Sequence, residues 1–196
     1  MAAPAPTTTT APPSVTPTEL PPAPTDPATI TAQDTSLVFP SFDASTAWTL
    51  GSLLRHKLLS FPSATCISIT LANGTPLFFN ATKPGTTPDN ASWVARKQAT
   101  VLRFGCSTWF MSRKFEGDEG AFAAKYGLAG EKAGGYAIHG GGWPVRVKGV
   151  EGVVAVVVVS GLKQDQDHMV VVATVREYLA GLGELTLEEG EKRKED

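Results

Sequence analysis

Three histidines, His56, His139 and His168, and two cysteines, Cys66 and Cys106, are the side chains of this 196-residue sequence best suited to bind a metal or start a nucleophilic reaction. Their spacing contains no C-x-x-C, H-x-x-x-H or H-x-E pattern, which excludes a closed structural zinc site. A haem asks for less: one or two axial ligands and an apolar slot. His139 opens the run His139-Gly140-Gly141-Gly142, the sequence lipase-type hydrolases use for an oxyanion hole. That chemistry also needs a G-x-S-x-G elbow. The nearest match, Gly105-Cys106-Ser107-Thr108-Trp109, lacks the final glycine and precedes the HGGG run instead of following it. No Walker A or G-x-G-x-x-G loop is present either. Two readings of the glycines stay open. A backbone without Cβ atoms can lie against a ligand or a neighbouring chain, or it can make a tight bend into the strand after Trp143-Pro144.

His168 heads an apolar stripe with Val171, Val172, Val175, Leu179 and Leu182, at helical spacing. Asp165 and Asp167 fall in the first turn of that helix, where its dipole favours carboxylates. A neutral His168 could ligate a metal or haem iron; the competing reading is a core-edge histidine bonded to a backbone group. Upstream, Asp89, Asn90, Trp93, Arg96, Lys97 and Arg103 combine a capped helix start with three bases. They form either a solvated helix surface or a cationic rim for carboxylate or phosphate groups, haem propionates among them.

The elements that must position these residues follow from pattern. A helix is predicted over Ser45–Leu59, capped by Ser45 and closed by Pro62. Thr65–Leu71 alternates as a half-buried strand, Asn73-Gly74 supplies a hairpin turn, and Pro76–Thr82 returns. Turn residues from Lys83 to Asn90 precede a helix over Ala91–Phe104. Ser107–Phe115 reads equally as strand or helix, and Asp118–Tyr126 as a short helix. Val145–Lys148 is a strand with one wet face. Val153–Ser160 opens with seven consecutive apolar residues and is expected at the centre of the sheet. A last helix runs from Asp165 to about Gly181, with Gly183 as its stop. The order predicts an α+β sandwich, one antiparallel sheet with helices on both faces.

Charge divides the chain in three. Residues 1–36 hold nine of the 15 prolines, no Lys or Arg and three acids, and read as a disordered Pro/Thr-rich tail. Residues 184–196 form a charged C-terminal tail with six acids and three bases. The domain between them, residues 37–183, carries ten acids and 14 bases. That weak positive charge, with no basic run longer than two, argues against nucleic-acid binding. The longest apolar run, Val153–Val159, is far short of the roughly 18 residues of a membrane span. The start has neither the charged nor the apolar region of a secretory signal. Two cysteines give no disulfide framework, so a cytoplasmic location is expected.

The stretch PDN-x-x-W-x-x-RK (Pro88–Lys97), the H-GGG-x-P run (His139–Pro144) and VSGL-x-x-x-x-DH (Val159–His168) resemble a family of small cytosolic proteins grouped with the haem-degrading or haem-binding HbpS/GlcG-like domain. Phe42-Asp43, Ala47-Trp48 and Leu50-Gly51 extend the resemblance over residues 40–182, leaving both tails outside. Trp143 stands where the family pattern leads one to expect a smaller aromatic. The resemblance implies a profilin-like sandwich that self-assembles into homo-oligomers, with haem or another small molecule as ligand. It transfers no catalytic residue.

Three functional expectations follow. In the first the chain binds haem, and haem degradation is its catalytic extension. His168 is then the first candidate axial ligand and His139 the second, with Arg96, Lys97 or Arg146 meeting the propionates. In the second it is a non-catalytic homo-oligomeric assembly or adaptor protein, built through the sheet and the glycine-rich segment. In the third it is a small-molecule enzyme using His139 with Asp167 or His168 for acid–base chemistry, an idea that requires those residues to meet in the fold.

Overall fold

Apolar alternation in Cys66–Leu71 (β2) and the continuous apolar run of Ala155–Ser160 (β5) dictate where the layers go. The computed structural model describes the backbone of residues 19–195 and the side chains of residues 19–183. In it, β2 and β5 pair antiparallel, with Ile67 opposite Val159 and Ile69 opposite Val157. Pro76–Ala81 (β3) folds back on β2 through Asn73-Gly74, where Gly74 takes φ +91° and the Asn73 side chain accepts from the Thr75 N–H at 3.0 Å. Gly142–Val147 (β4) pairs antiparallel with the other edge of β5. The two-residue strand Val38–Phe39 (β1) then lies parallel to β4, giving the order β1-β4-β5-β2-β3. The sheet is therefore mixed at one edge; the antiparallel expectation holds for the other four strands.

Because strand side chains alternate, β5 serves two cores. Val157 and Val159, with Ile67, Ile69, Trp143 and Val145, pack under Ala44–Leu58 (α2) and the first half of Gln164–Glu195 (α7). Val156 and Val158, with Cys66, pack on the opposite face under Val94 and Val101 of Pro88–Phe104 (α3). All six β5 residues are buried, as a central strand requires. Each fully buried Val contributes on the order of 1.5–3 kcal/mol relative to exposure.

Local signals set most helix ends. Asp43, not Ser45, caps α2, its carboxylate accepting from the Thr46 N–H at 2.8 Å. Pro88 at the first turn starts α3 three residues before the predicted Ala91, with the Asn90 side chain accepting from the Thr87 N–H at 2.8 Å. Gly105, at φ +66°, ends it. The ambiguous segment resolves as a helix, Thr108–Lys114 (α4), capped by Ser107. Glu119–Lys125 (α5) and the single turn Glu131–Gly134 (α6) lead to the glycine run. The last helix, α7, continues through Gly181 and Gly183 to Glu195, so Gly183 does not stop it.

One stretch departs from the expected disordered tail. Pro27–Ser36 is a helix (α1), with Pro27 in its first turn and Asp26 accepting from the Thr29 N–H at 2.8 Å. Ile30 is fully buried, and the nearly buried Asp34 carboxylate accepts from the Ser107 N–H at 2.8 Å. One apolar residue and one buried acceptor, placed against α4, order a segment whose composition alone is that of a solvated chain. The expected tail at residues 1–18 lies outside the described residues.

Candidate functional site

The first turns of α3 build one wall of a cavity. Trp93 lies one turn after Asp89 and donates its indole N–H to that carboxylate at 3.0 Å. The Arg96 guanidinium sits 4.5 Å over the Trp93 ring, donates to the Tyr136 carbonyl at 3.0 Å and reaches Glu119 of α5 at 3.5 Å. His139 meets the Trp93 ring edge-on, 5.0 Å between centroids. Its Nδ1 lies 3.4 Å from Glu119 Oε1, close enough to pair electrostatically. The alignment of a hydrogen bond is lacking, so this nitrogen is buried without a partner. The ring as a whole is 42% exposed.

One residue further along α3, Lys97 turns inward and is 3% exposed. Its Nζ donates to Asp167 Oδ2 at 3.0 Å and to the Val159 carbonyl at 2.9 Å. Asp167 also accepts from the Leu162 N–H at 3.0 Å and the Gly161 N–H at 3.4 Å, which ties it to the turn between β5 and α7. Burial pushes the Asp167 carboxyl up to about 6 against the opposing pull of Lys97. A charged pair this deep needs every remaining polar valence satisfied, and the two backbone N–H groups supply part of that.

The glycine run exists to admit this pair. At Gly141, with φ +115°, a Cβ would stand 2.3 Å from the Val159 carbonyl oxygen, 2.8 Å from Lys97 Nζ and 2.9 Å from Asp167 Cβ. At Gly140 it would stand 2.1 Å from the Gln164 carbonyl oxygen, and at Gly142 2.8 Å from Thr108 Cγ2. The close approach read from the sequence is real, but its object is the chain's own α3, α4 and α7.

Between α3, His139 and the β5–α7 turn lies a cavity of about 460 Å³. Lys97 and Asp167 lie at its base, with Trp93, His139, Asp89 and Leu162 around them. A slightly larger hollow of about 530 Å³, between α2 and β3 beside Trp48 and Phe79, contains no buried charged group. The smaller one carries the chemistry. Among the described residues no group of three or more His, Cys, Asp or Glu is placed to hold a metal ion.

The sequence candidates divide. His139 and Lys97 line this cavity, and Arg96 lies beside it, over the Trp93 ring. His168 does not: it is 1% exposed, its Nε2 lies 3.2 Å from Gln33 Oε1 of α1, and it stacks on Trp109 with centroids 6.0 Å apart. Burial drives its imidazole down to about 3, so it is neutral, and α1 seals it. Arg146 is also elsewhere, donating to the Gly105 carbonyl at the far end of α3, about 24 Å along the helix from Asp89. The acid–base pairing of His139 with Asp167 survives as a shared cavity; pairing with His168 does not. Pattern reading missed Glu119 and the role of Trp93. It saw Asp167 as a helix-dipole residue and an acid–base candidate but not as the partner of Lys97, because nothing local in the sequence signals that contact, 70 residues away.

Residues 42–176 match the family model described as haem degrading protein HbpS-like. A UPF0303 protein of Paraburkholderia phymatum is 41% identical over 150 residues, 76% of this chain and 87% of the relative. Among solved structures, the Ybr137w protein superposes with TM-score 0.72 at 30% identity, over 78% of this chain and 87% of that one. A PduOC–haem complex shares the fold at TM-score 0.53 and 16% identity, over 70% of this chain and 93% of that one.

Proposed function

Since the chain belongs to the HbpS-like haem degrading protein family, we propose that it binds haem at the mouth of the α3 cavity, where His139 would hold the iron. The carrying observation is the state of His139. It is part-exposed beside the cavity, its Nδ1 faces Glu119, and no described residue bonds its Nε2. The Glu119 carboxylate, 3.4 Å from Nδ1, favours electrostatically a ring orientation that leaves Nε2 free for a ligand. His168 does not fit the group, because Gln33 and Trp109 close it off. Arg96, stacked over Trp93 and about a quarter exposed, is the remaining candidate cation for a propionate. Arg146 is too distant, and Lys97 is engaged with Asp167.

Bound haem would supply iron redox chemistry; what this chain supplies is orientation and partial shielding from water. The free thiols of Cys66 and Cys106 suit a reducing cytosol, and no described helix is long and apolar enough to cross a membrane. Titration of the purified protein with hemin tests the reading. A Soret shift should appear in wild type and His168→Ala and weaken at least about tenfold in His139→Ala, a loss of about 1.4 kcal/mol. An unchanged titration in His139→Ala refutes it. Haem degradation is read separately, as loss of the Soret band when a reductant is added.

A second reading, self-assembly, draws support from the β3 edge. Phe79 is 57% exposed and Trp48, packed at 6.0 Å against Phe78, is 66% exposed. An edge strand flanked by exposed aromatic rings suits a second copy of the chain. The interior glycine run does not. Light scattering of wild type against Trp48→Ser/Phe79→Thr tests this: the variant should be smaller, and equal masses refute it.

A further inference from the structure

The Lys97 ammonium has three N–H donors and two protein acceptors, Asp167 Oδ2 and the Val159 carbonyl. Lys97 also lines the cavity, so the third donor has only the cavity to serve. We infer that Lys97 is a recognition group for a small, flat, neutral molecule bearing an sp² oxygen, an amide or ketone, seated on the cavity floor. This does not depend on haem binding, which concerns His139 at the mouth.

Three features define the class. The oxygen acceptor follows from the spare donor, which in a low-dielectric site gains more from a partner than it would in water. Flatness suits the wall, which the Trp93 indole and the His139 imidazole line with aromatic surface. Neutrality follows from charge. Besides His139, the charged side chains lining the cavity are Asp89, Lys97 and Asp167, two carboxylates against one ammonium. Arg96 and Glu119 pair with each other behind the wall and cancel. A carboxylate ligand would meet Lys97 with the Asp167 oxygen already 3.0 Å from the same nitrogen and would be repelled; a carbonyl would not. Asp167 holds the ammonium in place, so it is a positioning residue.

Benzamide and benzoate separate these claims, having the same ring with and without charge. Saturation-transfer NMR at pH 7.5 should detect wild type binding benzamide at least about tenfold more tightly than benzoate. Asp167→Asn removes the competing carboxylate and keeps an oxygen acceptor for Lys97, so it should reverse that preference. Lys97→Met should lose both probes. Should that variant fail to fold for want of a partner to Asp167, Lys97→Met/Asp167→Asn removes both charges and should likewise bind neither. Melting curves identify the folded variants. Equal benzamide binding by wild type and a Lys97 variant would make the pair a purely structural clasp and overturn the inference. So would wild type preferring benzoate, or no saturable binding of either probe. The hemin titration reads His139 independently of all these outcomes.

Discussion

Gln33 and His168 meet at 3.2 Å although 135 residues separate them. The contact makes α1 part of the domain. Gln33 partners the buried imidazole at Nε2, while its Nδ1 has no partner among the described residues. Nearby, Trp109 donates its indole N–H to the Pro24 carbonyl at 2.7 Å.

Removing α1 should therefore cost stability. Deletion of residues 1–36 strips cover from His168 and Trp109 and takes away fully buried Ile30. Even the single change Ile30→Ala should cost about 2–5 kcal/mol. Urea denaturation of the truncation and of Ile30→Ala checks this.

The Lys97–Asp167 pair should behave asymmetrically. Lys97→Met leaves a buried carboxylate without its cation and should cost about 3–5 kcal/mol. Lys97→Met/Asp167→Leu removes both desolvated charges and should recover most of that loss. A double-mutant cycle measured by urea unfolding gives the coupling directly.

Acid should reveal two opposed titrations at adjacent positions. His168 has its folded value lowered to about 3 from 6.5, so its contribution is full above pH 6.5 and disappears as pH falls toward 3. Asp167 has its folded value raised to about 6 from 3.8, so its contribution is full below pH 3.8 and disappears as pH rises toward 6. Between pH 3.8 and 6 the two oppose each other. The slope of Tm against pH in that window should therefore steepen in Asp167→Asn and flatten, or change sign, in His168→Phe.

Two glycines should respond oppositely to alanine. Gly141→Ala places a Cβ against the Val159 carbonyl and Lys97 at a backbone angle that L residues avoid, so a loss above about 3 kcal/mol is expected. Gly181→Ala, in α7 with nothing within 4 Å of the added carbon, should gain up to about 1 kcal/mol. Thermal melts of both variants decide the matter.

Local pattern made the sandwich readable: the β5 run, the Asn73-Gly74 hairpin and the caps and breakers of α2 and α3 are each local signals, and each element forms. The parallel β1 edge was invisible because two residues carry no period. α1 was hidden by the prolines and threonines around it, since its order comes from contacts to Ser107, Trp109 and His168, far along the chain. The same limit applies to the site. Trp93, Arg96 and Lys97 stood out as a spacing on one helix. That Lys97 points inward while Arg96 lies over Trp93 is decided by Asp167, and no window of sequence holds both Lys97 and Asp167. His168 misled because a histidine heading an apolar stripe looks the same whether it faces a ligand or another helix.

Lys97 comes from the helix on one face of the sheet and Asp167 from a helix on the other, and they join around the end of β5. Opening the first turn of α7 must therefore release α3 as well. In hydrogen exchange the amides beside the two residues should open as one unit. A molecule held on the cavity floor, between Lys97 and Asp167, would then slow exchange in both layers together.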